Sequence, residues 1–213
     1  MVFSASRLQI WYEKSYLEKK IKIEKTDTSY VIIPESFYKK VGNLSNNKIY
    51  NFCFIGAINT DKDTLKNRKW IIDFITKYFN DESYLEFTDR KSKMKNKTLG
   101  NFDYTLKRNG FTPKQVCLEE RGFFDKDYYE KMCQSKFCLC PAGDKMYSMR
   151  FYEALMCKTI PIVDKKEETF RTKAESKLDY RYYLRNKKIF KYRKEWAEHN
   201  YNLFLKHHTL KYM

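Results

Sequence analysis

From residue 48 onward the apolar positions switch between two periods. "IYNFCFIGA" is a continuous apolar run of strand length, whereas "DTLKNRKWIIDFITKYF" places apolar residues at 65, 71, 72, 75 and 79, the spacing of one helix face. "YLEFTD" returns to a strand pattern, so the body of the chain opens β-α-β. After a basic stretch at 90 to 101, "NFDYTLKRNG" reads as a helix stopped by Gly110, and "DKDYYEKMCQS" as a helix with Asp125 or Asp127 at its start. A strand at 136–140, a helix at 148–157 and a strand at 159–163 repeat the alternation. Strands alternating with helices predict a parallel sheet covered on both faces through right-handed crossovers.

The flanks read differently. Residues 1–48 form an N-terminal arm in which only "SYVIIP" is strand-like, 49–178 form the main Rossmann-like domain, and 179–213 read as a basic, aromatic tail of one or two helices packed on it. No internal repeat or low-complexity linker interrupts the chain.

Charge and composition narrow the class. The chain has 213 residues and a formal net charge of +16, which attracts anions over roughly a Debye length, about 8 to 10 Å. With 18 Tyr and 16 Phe it is too apolar for a disordered chain. Its six cysteines mostly sit in apolar runs without paired zinc spacing, so they read as free thiols of a reducing compartment, and no metal site is expected. No apolar run suits a leader or a membrane span, so a cytoplasmic protein with no membrane segment is expected. Walker, Gly-x-Ser-x-Gly and Gly-x-Gly-x-x-Gly motifs are absent, which leaves ATPase, hydrolase and NAD chemistry without support.

Candidate chemistry concentrates in "KFCLCPAGDKMYSMRFYEALMCKTIPIV", Lys136 to Val163. In a parallel sheet, ligands bind beyond the carboxyl ends of the strands, where the loop after Cys140 must lie. Gly143 permits close backbone approach, Ser148 suits an N-cap, and the free amides of the following turn form an anion site. Arg150 sits in that first turn, against the helix dipole at a cost of about 0.3 to 1 kcal/mol that a bound phosphate would reverse. Glu153, on the same surface, suits a ribose diol. The competing interpretation is an Arg150–Glu153 surface pair.

This block resembles the signature of the exostosin-like glycosyltransferases: a strand, Pro-x-Gly, a spacer, Ser-x-Arg-x-x-Glu-Ala and a later Ile-Pro-Val. "YNFCFIGAINTDKDTLKNRKW" is similar to the family's upstream strand, glycine loop and Arg-bearing helix, so the resemblance spans roughly residues 49 to 164. It implies the nucleotide-sugar-binding, C-terminal half of a GT-B fold. By that resemblance Gly143, Ser148 and Arg150 hold the diphosphate, Glu153 the ribose, and Gly56 and Arg68 line the donor pocket; from its place in the loop, Asp144 is a candidate polar contact to the sugar, with a helix-start or turn residue as the alternative. It further implies a nucleotide-sugar donor, UDP-sugar by first choice, a glycan or other hydroxyl acceptor, and no required metal cofactor; the catalytic base is not identified.

The chain departs from the family pattern in places. Lys158 stands where the family carries glycine, and a lysine at positive φ costs on the order of 1 kcal/mol, which leaves a different helix end open. The segment after Ile-Pro-Val is "DKKEETFRTKAES", and about 48 residues precede the first strand, too few for a full acceptor domain, so a compact variant, a piece of a longer protein or an inactive relative is expected. Two alternatives stand beside the enzyme: an inactive nucleotide-sugar-binding relative, and a nucleic-acid-binding protein using the basic, tyrosine-rich "DYRYYLRNKKIFKYRKEW". The three histidines, all in the tail, read as solvated or interfacial.

Overall fold

The computed structural model describes residues 33–56, 62–89, 98–99, 102–103, 114–117, 125–142, 147–165 and 169–210. Their elements are, in chain order, β1 (Ile33–Pro34), α1 (Glu35–Gly42), β2 (Tyr50–Gly56), α2 (Lys62–Tyr78), β3 (Tyr84–Asp89), β4 (Thr98–Leu99), β5 (Phe102–Asp103) and β6 (Lys114–Cys117). There follow α3 (Lys126–Cys133), β7 (Ser135–Leu139), α4 (Met149–Met156), β8 (Ile160–Val163), a 3₁₀ turn (Glu175–Lys177), β9 (Tyr183–Leu184), α5 (Lys194–His207) and β10 (Thr209–Leu210).

Six strands form one sheet in the order β6-β3-β2-β7-β8-β9, and every pairing in it is parallel. The chain starts in the middle at β2, steps outward to β3 and β6, then returns to lay β7, β8 and β9 on the other side. This is the doubly wound Rossmann order, and its switch point falls between β2 and β7.

The central strands β2, β7 and β8 are mostly apolar because both of their faces are buried. Alternation along each strand divides them: Phe54, Leu85, Phe137, Leu139, Ile160 and Ile162 face a core under α2, while Cys53, Cys138 and Val163 face a second core with α1, α3 and α4. The first face is bulky and aromatic; Phe52 stacks on its cross-strand partner Phe137 at 5.4 Å. The second carries small thiols, which let helices approach closely. The five cysteines whose side chains are described are all free and buried.

Elements outside the expected pattern are short. β6 was not anticipated, because "KQVC" is too brief and polar to show a period. Phe102 and Asp103, expected within a helix, form β5, antiparallel to β4 with Leu99 opposite Phe102. Within 179–213, Tyr183–Leu184 adds an edge strand to the sheet, so that segment is not helical throughout. α5 contributes Ala197 to one core and Phe204 to the other, and β10 pairs with β1.

At the amino end of the sheet, Lys48 Nζ donates to the carbonyls of Cys133 (2.6 Å) and Cys157 (3.2 Å) and to Thr159 Oγ1 (3.2 Å). Burial pushes its pKa down from 10.5 to about 8. The unfolded chain therefore binds the extra proton between those values, and this group's contribution to stability rises with pH through that window. Burial raises the thiols of Cys53, Cys138 and Cys157, which act in the opposite sense at higher pH, so the test is a difference. Between about pH 7 and 9, wild type should gain about 1 kcal/mol over Lys48→Met in urea unfolding.

Candidate functional site

The switch point lies between the carboxyl ends of β2 and β7, beside the start of α4. Arg150, the second residue of α4, lies with its guanidinium carbon 5.1 Å from the centre of the Phe54 ring. Beside it, Gly56 ends β2 without a side chain, and a Cβ there would come within 2.4 Å of Arg150 Nη2. Glycine is required here by close approach rather than by backbone angle.

Arg150 has no hydrogen-bond acceptor among the described residues, and its Nε is shielded from solvent. Burial alone works to lower its pKa, but Tyr128, Cys138 and Glu153 outweigh that and raise it. A guanidinium is not deprotonated in a folded protein, so the cation is retained at neutral pH. Two residues earlier, Ser148 occupies the N-cap position with φ −105° and ψ 111°, yet its side chain makes no capping bond. Its Oγ is buried and also lacks a partner. A buried polar atom left unpaired costs about 1 to 3 kcal/mol, so two of them at one helix N-terminus mark a place shaped for a ligand.

Glu153 faces inward, 7% exposed. Its Oε2 accepts from Tyr128 Oη at 2.5 Å and its Oε1 from Tyr129 Oη at 3.1 Å. Both tyrosines belong to α3, whose start is set by Asp125: its carboxylate accepts from the amide of Tyr128 at 3.0 Å. Burial, and next the charge of Glu153, raise the Tyr128 hydroxyl, which stays a donor. Each carboxylate oxygen keeps a second lone pair. No ion pair joins Arg150 to Glu153 among the described residues, so the surface-pair interpretation fails: both groups are turned into the fold. The two tyrosines were missed in sequence; the signal available was "DYYEK", two adjacent tyrosines one turn inside a helix.

Arg68, on α2, reaches the loop after β7, where its Nε donates to Ala142 O at 3.4 Å. The structure thus brings Gly56, Arg68, Ser148, Arg150 and Glu153 to the same edge. Gly143 and Asp144 lie outside the described residues.

The sequence model of the Exostosin GT47 domain matches residues 22–194, more than half of the chain. The chain belongs to this family. It is a glycosyltransferase, an enzyme using a nucleotide-sugar donor and an acceptor, on a Rossmann-like sheet of GT-B type. No curated protein matches it. The family match runs through the boundaries read at 48 and 178, in keeping with β9 completing the sheet.

One departure from the exostosin pattern finds a physical account. Lys158 has φ 52°, so α4 ends where the family's glycine would end it. Its amide bonds Leu155 O and the Thr159 amide bonds Ala154 O, a complete Schellman closure. The strain is offset by contacts to α5: Lys158 Nζ lies 3.0 Å from Glu198 Oε2 and 4.7 Å from the Tyr201 ring centre. In the tail of this exostosin-family chain, Tyr180, Tyr183 and Phe190 pack into the cores, so these rings are not open platforms for stacking bases. His208, expected at the surface, is fully buried with Nε2 against Tyr180 Oη, because the β1–β10 pairing covers it.

Proposed function

We propose that this enzyme transfers a sugar from a nucleoside diphosphate sugar, uridine by first choice, to a glycan hydroxyl, with the diphosphate bound at the N-terminus of α4. The observation that carries this reading is the Arg150 guanidinium: charged, set on Phe54, fitted against Gly56 and without a hydrogen-bond acceptor among the described residues. A diphosphate oxygen is the partner it takes, with Ser148 Oγ and the amides of Met149 and Arg150 as further donors, those of Ser148 and Phe151 being bonded to Thr169 O and Ser148 O. Glu153, oriented by two tyrosines, is the candidate for the ribose hydroxyls, and Arg68 steadies the loop after β7.

Chemically, glycosyl transfer ends with negative charge on the departing diphosphate. A fixed guanidinium and helix amides in a crevice stabilise that charge where it develops, the role that otherwise falls to a metal. We also propose a reducing, cytoplasmic setting, which the buried free thiols support.

A screen of nucleotide sugars tests the reading. UDP or a UDP-sugar at about a hundred times its dissociation constant should raise stability by about 2.7 kcal/mol, seen as a higher melting temperature. Slow donor hydrolysis should persist in the presence of EDTA. If no nucleotide diphosphate gives protection, the assignment of the α4 site is wrong.

A further inference from the structure

We propose that the loop joining β9 to α5 docks this enzyme on an anionic lipid surface. Residues 185–194 read "RNKKIFKYRK": six cations and no acid. Ile189, in the middle, is 80% exposed, the most exposed large apolar side chain among the described residues.

The loop holds Ile189 out rather than leaving it free to collapse. Phe190, its neighbour, is turned inward, with ring centres 5.4 Å from Phe74, Tyr78 and Tyr183. Tyr78 Oη donates to Lys187 O at 3.2 Å and Tyr183 Oη to Lys191 O at 3.0 Å, so the backbone is tied down on either side of the tip. Lys187, Lys188 and Lys191 make no ion pair among the described residues, and all are exposed. Arg185 is engaged by Asp164, and Arg193 lies over the Trp196 ring at 5.0 Å. Lys77 and Lys165 line the cleft next to Arg185 and extend the cationic face; Asp73 also lines it and makes no ion pair among the described residues.

The combination selects among anions. A nucleic-acid strand would use the rings, and those are packed into the core; an aliphatic tip gains nothing from a phosphodiester. At a bilayer, an aliphatic side chain enters the headgroup and acyl boundary while the lysines around it meet anionic headgroups. No described helix is long and apolar enough to cross a membrane, so the attachment is to the surface.

Co-sedimentation of the full chain with phosphatidylcholine vesicles, with and without about a third phosphatidylserine, tests this. Binding should require phosphatidylserine and weaken with salt. Replacing Lys187, Lys188 and Lys191 by Gln together should lower partitioning about a hundredfold, roughly fivefold per charge. Ile189→Asn, which leaves the charge unchanged, should lower it about tenfold. Both variants should keep the nucleotide-dependent rise in melting temperature. Absence of binding to anionic vesicles overturns the proposal. So does vesicle binding indifferent to Ile189→Asn, or tight binding of a single-stranded oligonucleotide lost in the lysine variant.

Discussion

Arg150→Ala should abolish the nucleotide-dependent rise in melting temperature and lower transfer by about a hundred- to a thousandfold in kcat/KM, the scale seen when one preorganised donor to a developing anion is removed. The protein should remain folded. Arg150 makes no hydrogen bond among the described residues, so its truncation orphans no partner; what is lost is the contact with Phe54. Arg150→Lys is the sharper comparison. A lysine keeps the charge but lacks the planar fork, and should recover only part of the binding. Calorimetry with UDP and a steady-state assay decide the matter; a loss of under about threefold would place the diphosphate elsewhere.

Gly56→Ala should weaken the donor site without weakening the fold. The new methyl group would lie 2.4 Å from Arg150 Nη2, the movable end of a long side chain, so the guanidinium is displaced rather than the strand. Alanine at a strand end with ordinary backbone angles costs less conformational entropy than glycine, so stability should hold or rise by up to about 1 kcal/mol. Donor affinity should still fall at least tenfold, about 1.4 kcal/mol. If both substitutions act through the guanidinium, the double variant should bind no worse than Arg150→Ala alone, a coupling that a double-mutant cycle measures. Additive losses would show that Gly56 and Arg150 serve the site separately.

Much of the fold is legible locally. β3 falls on Tyr84–Asp89 as its pattern predicts, and α2, β7, α4 and β8 lie within about a residue or two of their sequence signals, because period and residue type act over a few residues. β6 and β9, of four and two residues, carry no readable period; they exist because an adjacent strand offers hydrogen bonds. The site was half legible. Ser148, Arg150 and Glu153 share one short segment and could be grouped from it, whereas Tyr128 and Tyr129 come from another helix and reach Glu153 only in three dimensions. Lys48 gave no signal, being one lysine among many, and acquires meaning from two carbonyls at distant points of the chain.

By itself, then, the sequence determined an alternating α/β chain, its strongly basic character, and the strand–Pro-Ala-Gly–Ser-x-Arg-x-x-Glu-Ala block that marks an exostosin family member. These are properties of residue type and spacing, and short-range sterics and hydrophobic periodicity are enough to read them. Only the tertiary structure decided the order of the strands, and with it the switch point that sets Gly56 against Arg150. It also left Ser148 Oγ and Arg150 without hydrogen-bond partners among the described residues, tied Glu153 to two tyrosines, kept Lys158 at positive φ through contacts with α5, and turned the rings of the tail inward while Ile189 stayed out. Each of these depends on which distant groups share a small volume once the sheet has closed and water has left, and no local pattern in the chain encodes that.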